Sequence, residues 1–278
     1  MLDRFLRETA EVDLVVANGD YSCDSAYVGI SDDAAFQSAQ LCLNKLRGQF
    51  GERFQATIGD HEIGKMMMGA SEGGLRLRSY QRALEELHLQ PFWQLEFGSY
   101  LLVGVTSTLI AFELFEDEAR PEERPAWREL RRQHLEALRQ TLSGLRPGQR
   151  VLLFCHDPSA LPFLWREDFV RAKIDHIERT IIGHLHTNLV YRQSLRLAGL
   201  PPIGFLGHTP RRLSRALREA RHWKPFRPLL CPSMAGVQLL KDGGYYIAVL
   251  DPQANAPLAT MFHPLRWGRD VRANEAPR

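Results

Sequence analysis

The stretch TIGDHEIG at residues 57–64 places Asp60, His61 and Glu62 in consecutive positions behind a short apolar run. Three more apolar runs lead into residues of the same chemical types, which are Asp20, then His156 with Asp157, then His184 with His186. Carboxylate oxygens and neutral imidazole nitrogens are common ligands of divalent cations. One such group alone could be a surface turn. Its recurrence along the chain favours a metal site.

The elements that must position these residues are predicted strands. Runs rich in β-branched residues or leucine predict strands over 12–20, 54–62, 100–108, 150–158, 179–187 and 243–252. Between them, leucine spacing and acidic starts predict helices over 32–50, 76–88 and 125–145. This alternation indicates an α/β protein. Polar residues at the carboxyl ends of strands are where open α/β sheets form their sites.

Composition limits the classes of protein to consider. The chain has 278 residues, of which 44% are hydrophobic, enough for one large α/β domain or two small ones. We predict a single domain over 1–278, because the two segments that interrupt the alternation are typical of insertions and not of linkers. The 35 Lys and Arg residues nearly balance the 33 Asp and Glu residues, so the total charge does not indicate a polyanionic partner. The four cysteines form no CxxC pair and favour a reducing compartment. The longest apolar runs are strand-sized, so we expect a cytoplasmic protein without a transmembrane segment.

Four of these segments together resemble a known set of motifs. NGD at 18–20, GDHE at 59–62, the isolated His156 and GHLH at 183–186 resemble motifs of the calcineurin-like metallophosphoesterases. The pattern of that family is DxH, GD, GNHE or GNHD, H and GHxH, and the match in order extends over about residues 12–187. The resemblance implies a four-layer α-β-β-α sandwich of two mixed sheets flanked by helices. It also implies a binuclear metal centre with two divalent ions, drawn from Mn, Fe, Zn or Ni.

The resemblance assigns a role to each matching residue. The expected metal ligands are Asp20, Asp60, His156, His184 and His186. Asp20 would bridge the two ions, and His186 would serve the first ion. His61 would be the catalytic residue that faces the phosphate and assists departure of the leaving group. The implied activity is a hydrolase, either a phosphatase or a phosphodiesterase, in which a metal-activated hydroxide attacks a phosphate-ester substrate.

Two departures from the family pattern change these expectations. No DxH motif precedes Asp20, so the first strand and its ligands are predicted to be missing. Either the sequence starts late or half of the binuclear site has been lost, in which case one ion is retained. Asp60 stands where the family has Asn, and a carboxylate binds the ion more strongly but lowers its net positive charge. We therefore expect an altered metal preference or a slower turnover.

An arginine-rich stretch, predicted as a basic insertion or lid over 192–228, contributes the candidate substrate-binding residues Arg211, Arg212 and Arg215. It is either a solvated helix face or a surface that attracts an anionic substrate, nucleic acid or a lipid head group. Three functions stay open from the sequence: a metal-dependent phosphoesterase, a weakened phosphoesterase-fold scaffold or binding protein, and a nuclease-type phosphodiesterase. Glu62 is expected to hold its loop, and the acidic segment 113–125 is predicted to be an inserted loop.

Overall fold

A computed structural model describes residues 1–22, 33–64, 74–199, 218–234 and 243–265. Its strands are β1 (Val15–Ala17), β2 (Phe54–Ala56), β3 (Phe92–Phe97), β4 (Tyr100–Val105), β5 (Arg150–Cys155), β6 (Ile177–Ile182), β7 (Pro228–Leu230), β8 (Gly244–Val249) and β9 (Ala259–Pro264). Its α-helices are α1 (Leu2–Glu8), α2 (Asp33–Phe50), α3 (Leu77–Glu85), α4 (Ser107–Ile110), α5 (Phe112–Phe115), α6 (Arg124–Ser143), α7 (Leu161–Arg166), α8 (Asp168–Arg171) and α9 (Asn188–Arg196).

The largest sheet has five strands in the order β3-β4-β5-β6-β7. β3 and β4 form an antiparallel hairpin, and β4 to β7 run parallel to one another. The described residues also contain a parallel pair, β1 with β2, and an antiparallel pair, β8 with β9. Because β4 to β7 are parallel, their carboxyl ends lie at one edge of the sheet, where a site can form.

Side chains alternate between the two faces of the large sheet. On one face, Tyr100, Leu102 and Phe154 form an apolar cluster against which residues of β1 and of the loop after β8 pack, such as Val16 and Leu250. On the other face, Leu101, Val103, Val105, Val151 and Leu153 belong to the core that includes the helices. The period of two along each strand therefore gives the large sheet one face toward other strands and one toward helices.

The helices bury one side each. α2 buries Phe36, Leu43 and Leu46 at helical spacing, as an amphipathic helix does. In α6 the fully buried Trp127 stacks on Phe112 at 6.2 Å between ring centroids. At the amino terminus, Phe5 of α1 meets Tyr245 of β8 edge to face at 5.0 Å. These contacts place helices over the sheets at several points along the chain.

The predicted α/β class, with sheets flanked by helices in a sandwich, is confirmed. Each predicted strand and each predicted helix is present and ends at or before its predicted last residue, whereas β6 and α6 begin before the predicted first residues 179 and 125. The inserted loop at 113–125 is a wrong prediction in part, because α5, a 3₁₀ helix at Glu116–Glu118 and the start of α6 occupy much of it. Burial of Phe112 and Phe115 explains this, since tertiary packing overrides weak local propensity.

Two further expectations concern the rest of the chain. Much of the basic segment 192–228 lies outside the described residues, and within its described part α9 ends at Arg196 and a 3₁₀ helix spans Ala220–Phe226. Among the helices that the structure describes, none is both long enough and apolar enough to cross a membrane.

Candidate metal centre

Four predicted ligands meet in one place. Asp20, Asp60, His156 and His184 each offer a ligand atom, and these atoms all lie within 4.8 Å of one another. The residues follow β1, β2, β5 and β6, so the cluster stands at the carboxyl ends of strands. Asp60 and His156 are only 3% and 2% exposed. The cluster is a buried site that opens on the side of Asp20 and His184.

The distances within the cluster suit a single ion. His156 Nε2 lies 3.0 Å from Asp20 Oδ2 and 3.0 Å from Asp60 Oδ1. His184 Nδ1 lies 3.0 Å from Asp60 Oδ1. Ligands of a tetrahedral zinc ion, bound at about 2.0–2.2 Å, are separated by roughly 3.4 Å from one another. Two carboxylates and two imidazoles in this arrangement therefore fit one divalent ion with small adjustments.

His156 is held with its ligand nitrogen toward the cluster. Its Nδ1 lies 2.6 Å from the backbone oxygen of Asn18, which can only accept, so Nδ1 carries the proton and Nε2 is the ligand atom. The amide of Asn18 donates to Ile181 O at 3.1 Å, and the backbone nitrogen of Gly183 donates to His156 O at 2.8 Å. These bonds join the end of β1 to β5 and β6. A ligand whose second nitrogen is fixed in this way has a defined tautomer and orientation.

The turn that carries Asp20 is strained and needs support. Asp20 has φ 58°, in the left-handed region that L-residues rarely adopt. The buried carboxylate of Glu62 accepts hydrogen bonds from the backbone nitrogens of Asp20 at 3.0 Å, Tyr21 at 3.0 Å and Gly59 at 2.8 Å. Glu62 thus holds the loop, as predicted, and fixes the backbone from which the Asp20 carboxylate projects.

Small residues and a buried phenol complete this support. A Cβ atom at Gly19, whose φ is 90°, would lie 2.6 Å from His156 Nδ1, so no larger residue fits there. The hydroxyl of Tyr21 lies 3.0 Å from Ala17 O and 2.5 Å from Thr57 O, and it accepts from the Gly19 nitrogen at 3.3 Å. Tyr21 therefore ties together the segments that leave β1 and β2.

Burial and neighbouring charges shift the pKa values of the cluster. Burial lowers the pKa of His156, but the carboxylates of Asp20 and Asp60 outweigh it and raise this pKa well above its ordinary value. Burial raises the pKa of Asp20, yet the net result is a lowered pKa because of His156 and His61. Burial and the charge of Asp20 raise the pKa of Glu62 to about 6.

His61 lies beside the four-residue group and outside it. Its backbone nitrogen donates to Asp20 Oδ1 at 3.2 Å, and its Nε2 is 3.8 Å from Asp20 Oδ2. It starts the 3₁₀ helix His61–Ile63, which follows Asp60 directly. The ring therefore lies next to the place where an ion fits, and its role toward a phosphate stays a prediction.

The other predicted site residues are not part of the four-residue group. His186 does not belong to the four-residue group, and it is an exposed residue with φ 57°. Partial burial of the ring and the charge of the neighbouring His184 lower its pKa. Its role as a ligand of a first ion stays a prediction. Arg211, Arg212 and Arg215 lie outside the described residues.

Asp157, the neighbour of a ligand, has contacts that a motif does not reveal. It caps the 3₁₀ helix Pro158–Ala160, since its Oδ1 accepts from the backbone nitrogen of Ser159 at 2.8 Å. Separately from this cap, the backbone nitrogen of Asp157 donates a hydrogen bond to Ser107 Oγ at 3.1 Å. The residue is only 4% exposed, and its Oδ2 lies 4.0 Å from His184 Nε2.

Comparisons of the chain with protein family models, with curated proteins and with solved structures find no match.

Proposed function

We propose that the protein is a metal-dependent phosphoric ester hydrolase of the calcineurin-like metallophosphoesterase type. The observation that carries the proposal is the convergence of Asp20, Asp60, His156 and His184 at the ends of β1, β2, β5 and β6. These are the residues at which the sequence resembles four successive family motifs. Spacing in the sequence and meeting in space are two separate observations, and both support a metal centre.

The geometry favours one ion in the described cluster. The four candidate ligand atoms lie within 4.8 Å of one another, and Asp60 Oδ1 lies 3.0 Å from a nitrogen of each imidazole. These four residues would hold a divalent ion, whose chemistry would be to neutralise charge on phosphoryl oxygens and to lower the pKa of a water molecule that acts as the nucleophile. With two carboxylates in the ligand set, such an ion carries less net positive charge than one bound by Asn and Asp. A slower reaction than that of a GNHE-type site is the consequence.

The chain's own groups around the cluster have distinct tasks in this proposal. Glu62 holds the backbone of the Asp20 turn, and Asn18 holds the His156 ring. His61, beside Asp20, is placed to donate a proton to the departing alcohol. The buried Asp60 and His156 exclude water from the inner side of the site, which strengthens every charge interaction there.

The test is hydrolysis of p-nitrophenyl phosphate and of bis(p-nitrophenyl) phosphate by protein stripped with EDTA and resupplied with Mn²⁺, Zn²⁺ or Ni²⁺. Hydrolysis that requires added metal and is lost in Asp60→Ala supports the proposal. His61→Ala should lower kcat at least tenfold with unchanged metal content. The matched control is His88→Asn at an exposed histidine, which should behave as the wild type.

Other outcomes would overturn the proposal. Hydrolysis that persists in EDTA, or that is the same in Asp60→Ala and the wild type, would show that the cluster is not the active site. Metal binding without hydrolysis of either substrate would favour the scaffold function instead.

A further inference from the structure

Asp157 is a buried residue whose two carboxylate oxygens face different neighbours. Oδ1 accepts the hydrogen bond from the Ser159 backbone nitrogen at 2.8 Å, which is the helix cap. Oδ2 lies 4.0 Å from His184 Nε2, on the side of the imidazole that faces away from Asp60. Oδ2 therefore stands next to a proposed metal ligand.

The imidazole of His184 has two nitrogens in two environments. Nδ1 lies 3.0 Å from Asp60 Oδ1, inside the ligand cluster, while Nε2 points toward Asp157. A neutral imidazole that ligates through one nitrogen carries its proton on the other. If Nδ1 is the ligand atom, the proton is on Nε2, and Asp157 Oδ2 is the carboxylate oxygen toward which it points. Closing the gap to hydrogen-bond length requires a movement of about 1 Å.

The loop that carries Asp157 is held firmly. Besides the cap, its backbone nitrogen lies 3.1 Å from Ser107 Oγ, and its backbone oxygen is 3.5 Å from Cys155 Sγ. The carboxylate is therefore set by the fold before any ion binds. Asp157 follows His156 directly, so the end of β5 carries both the candidate ligand His156 and a carboxylate that lies near a second candidate ligand, His184.

We propose that Asp157 is a positioning residue of the metal site, which accepts a hydrogen bond from His184 Nε2 and so presents His184 Nδ1 to the ion. This inference rests on the proposed function, because it requires that the cluster bind a metal. It goes beyond the motif resemblance, which assigns no role to the residue after His156. Outer carboxylates of this kind typically change metal affinity 10- to 100-fold when they are removed.

Two substitutions separate this role from the helix cap. Asp157→Ser keeps a side-chain oxygen that can cap the Ser159 nitrogen but cannot reach His184. Asp157→Asn keeps the shape and a neutral acceptor. The matched control is Ser159→Ala, in the same loop, whose hydroxyl makes no hydrogen bond within the described residues. Zn²⁺ affinity is measured by competition with a chromogenic chelator, and the thermal midpoint is measured in EDTA to check the fold.

We expect Zn²⁺ affinity to fall 10- to 100-fold in Asp157→Ser and less in Asp157→Asn, with Ser159→Ala equal to the wild type. In ¹⁵N-imidazole NMR spectra of the zinc-loaded wild type, His184 should show a protonated Nε2 and a ligated Nδ1. Equal affinity of the wild type and Asp157→Ser, or ligation through Nε2, would overturn the inference and leave the proposed function intact. Failure of the wild type to bind Zn²⁺ would overturn the proposed function, and this inference with it.

Discussion

Replacement of Glu62 by alanine tests how the site is built. Its carboxylate accepts hydrogen bonds from the backbone nitrogens of Asp20, Tyr21 and Gly59 at 3.0, 3.0 and 2.8 Å, and it is 3% exposed. A buried donor left without an acceptor costs about 1–3 kcal/mol, so three cost roughly 6 kcal/mol at the middle of that range. The pKa of Glu62 is raised from 4.5 to about 6, so removal of the buried charge offsets about 2 kcal/mol of this loss of stability at pH 7.

We therefore expect Glu62→Ala to lower the free energy of unfolding by about 4 kcal/mol. The assay is urea denaturation in EDTA, where bound metal cannot contribute to stability. Because Asp20 depends on the same turn, Mn²⁺ affinity should fall as well. Glu85→Gln, at an exposed glutamate of α3, is the control and should leave both quantities unchanged. Wild-type stability and wild-type Mn²⁺ affinity in Glu62→Ala would refute the reasoning.

Three further predictions concern other parts of the fold. Burial lowers the pKa of His134 to about 4, so on acidification this histidine is protonated in the unfolded chain before it is protonated in the folded chain. The free energy of unfolding should therefore fall by about 3 kcal/mol as pH drops from 6.5 to 4. His134→Phe should show a shallower decline in urea titrations at these pH values, and equal slopes would contradict this. Gly19→Ala should reduce both the thermal midpoint and Zn²⁺ affinity, because its Cβ would lie 2.6 Å from His156 Nδ1; an unchanged affinity would show that the contact relaxes without consequence. Leu43→Ala should cost about 2–5 kcal/mol in urea denaturation, whereas Leu41→Ala on the exposed side of α2 should cost little, and similar losses would disprove the assigned face.

The sequence was informative where chemistry and local pattern coincide. The run VLLFC at 151–155 in β5 is continuously apolar, as strands buried on both faces are, and it is followed at once by the polar His156. Because parallel strands end at the same edge, the ligand types behind them could be expected to meet. His156 and His184 do so.

Other elements have no such signal. β7 has three residues and begins with proline, and β9 is almost entirely exposed, so neither shows a period of two that a strand prediction needs. The short helices α4 and α5 are set by burial in the core instead of by helix propensity. These segments take their form from what they pack against.

The long-range hydrogen bonds that support the site cannot be predicted from the sequence. Tyr21 and Glu62 are 41 residues apart, and Asn18 and Ile181 are 163 residues apart, yet both pairs are joined by hydrogen bonds. No local pattern specifies a partner at such a distance. The candidate ligands, and Glu62 as the residue that holds its loop, could be named from residue type and motif, whereas the hydrogen-bond partners of Glu62 and the roles of Tyr21 and Asn18 could be found only from the folded chain.

The most direct test of the central claim is the metal content and metal affinity of the purified protein. After removal of metal with EDTA, titration with Zn²⁺ or Mn²⁺ by calorimetry, checked by elemental analysis, should give one tightly bound ion per chain. His156→Ala, which removes the ligand nearest to both carboxylates, should lose this ion, while His88→Asn should retain it. Two tight ions would contradict the single-ion geometry. No tight ion in the wild type, or undiminished binding in His156→Ala, would contradict the assignment of the cluster as a metal centre.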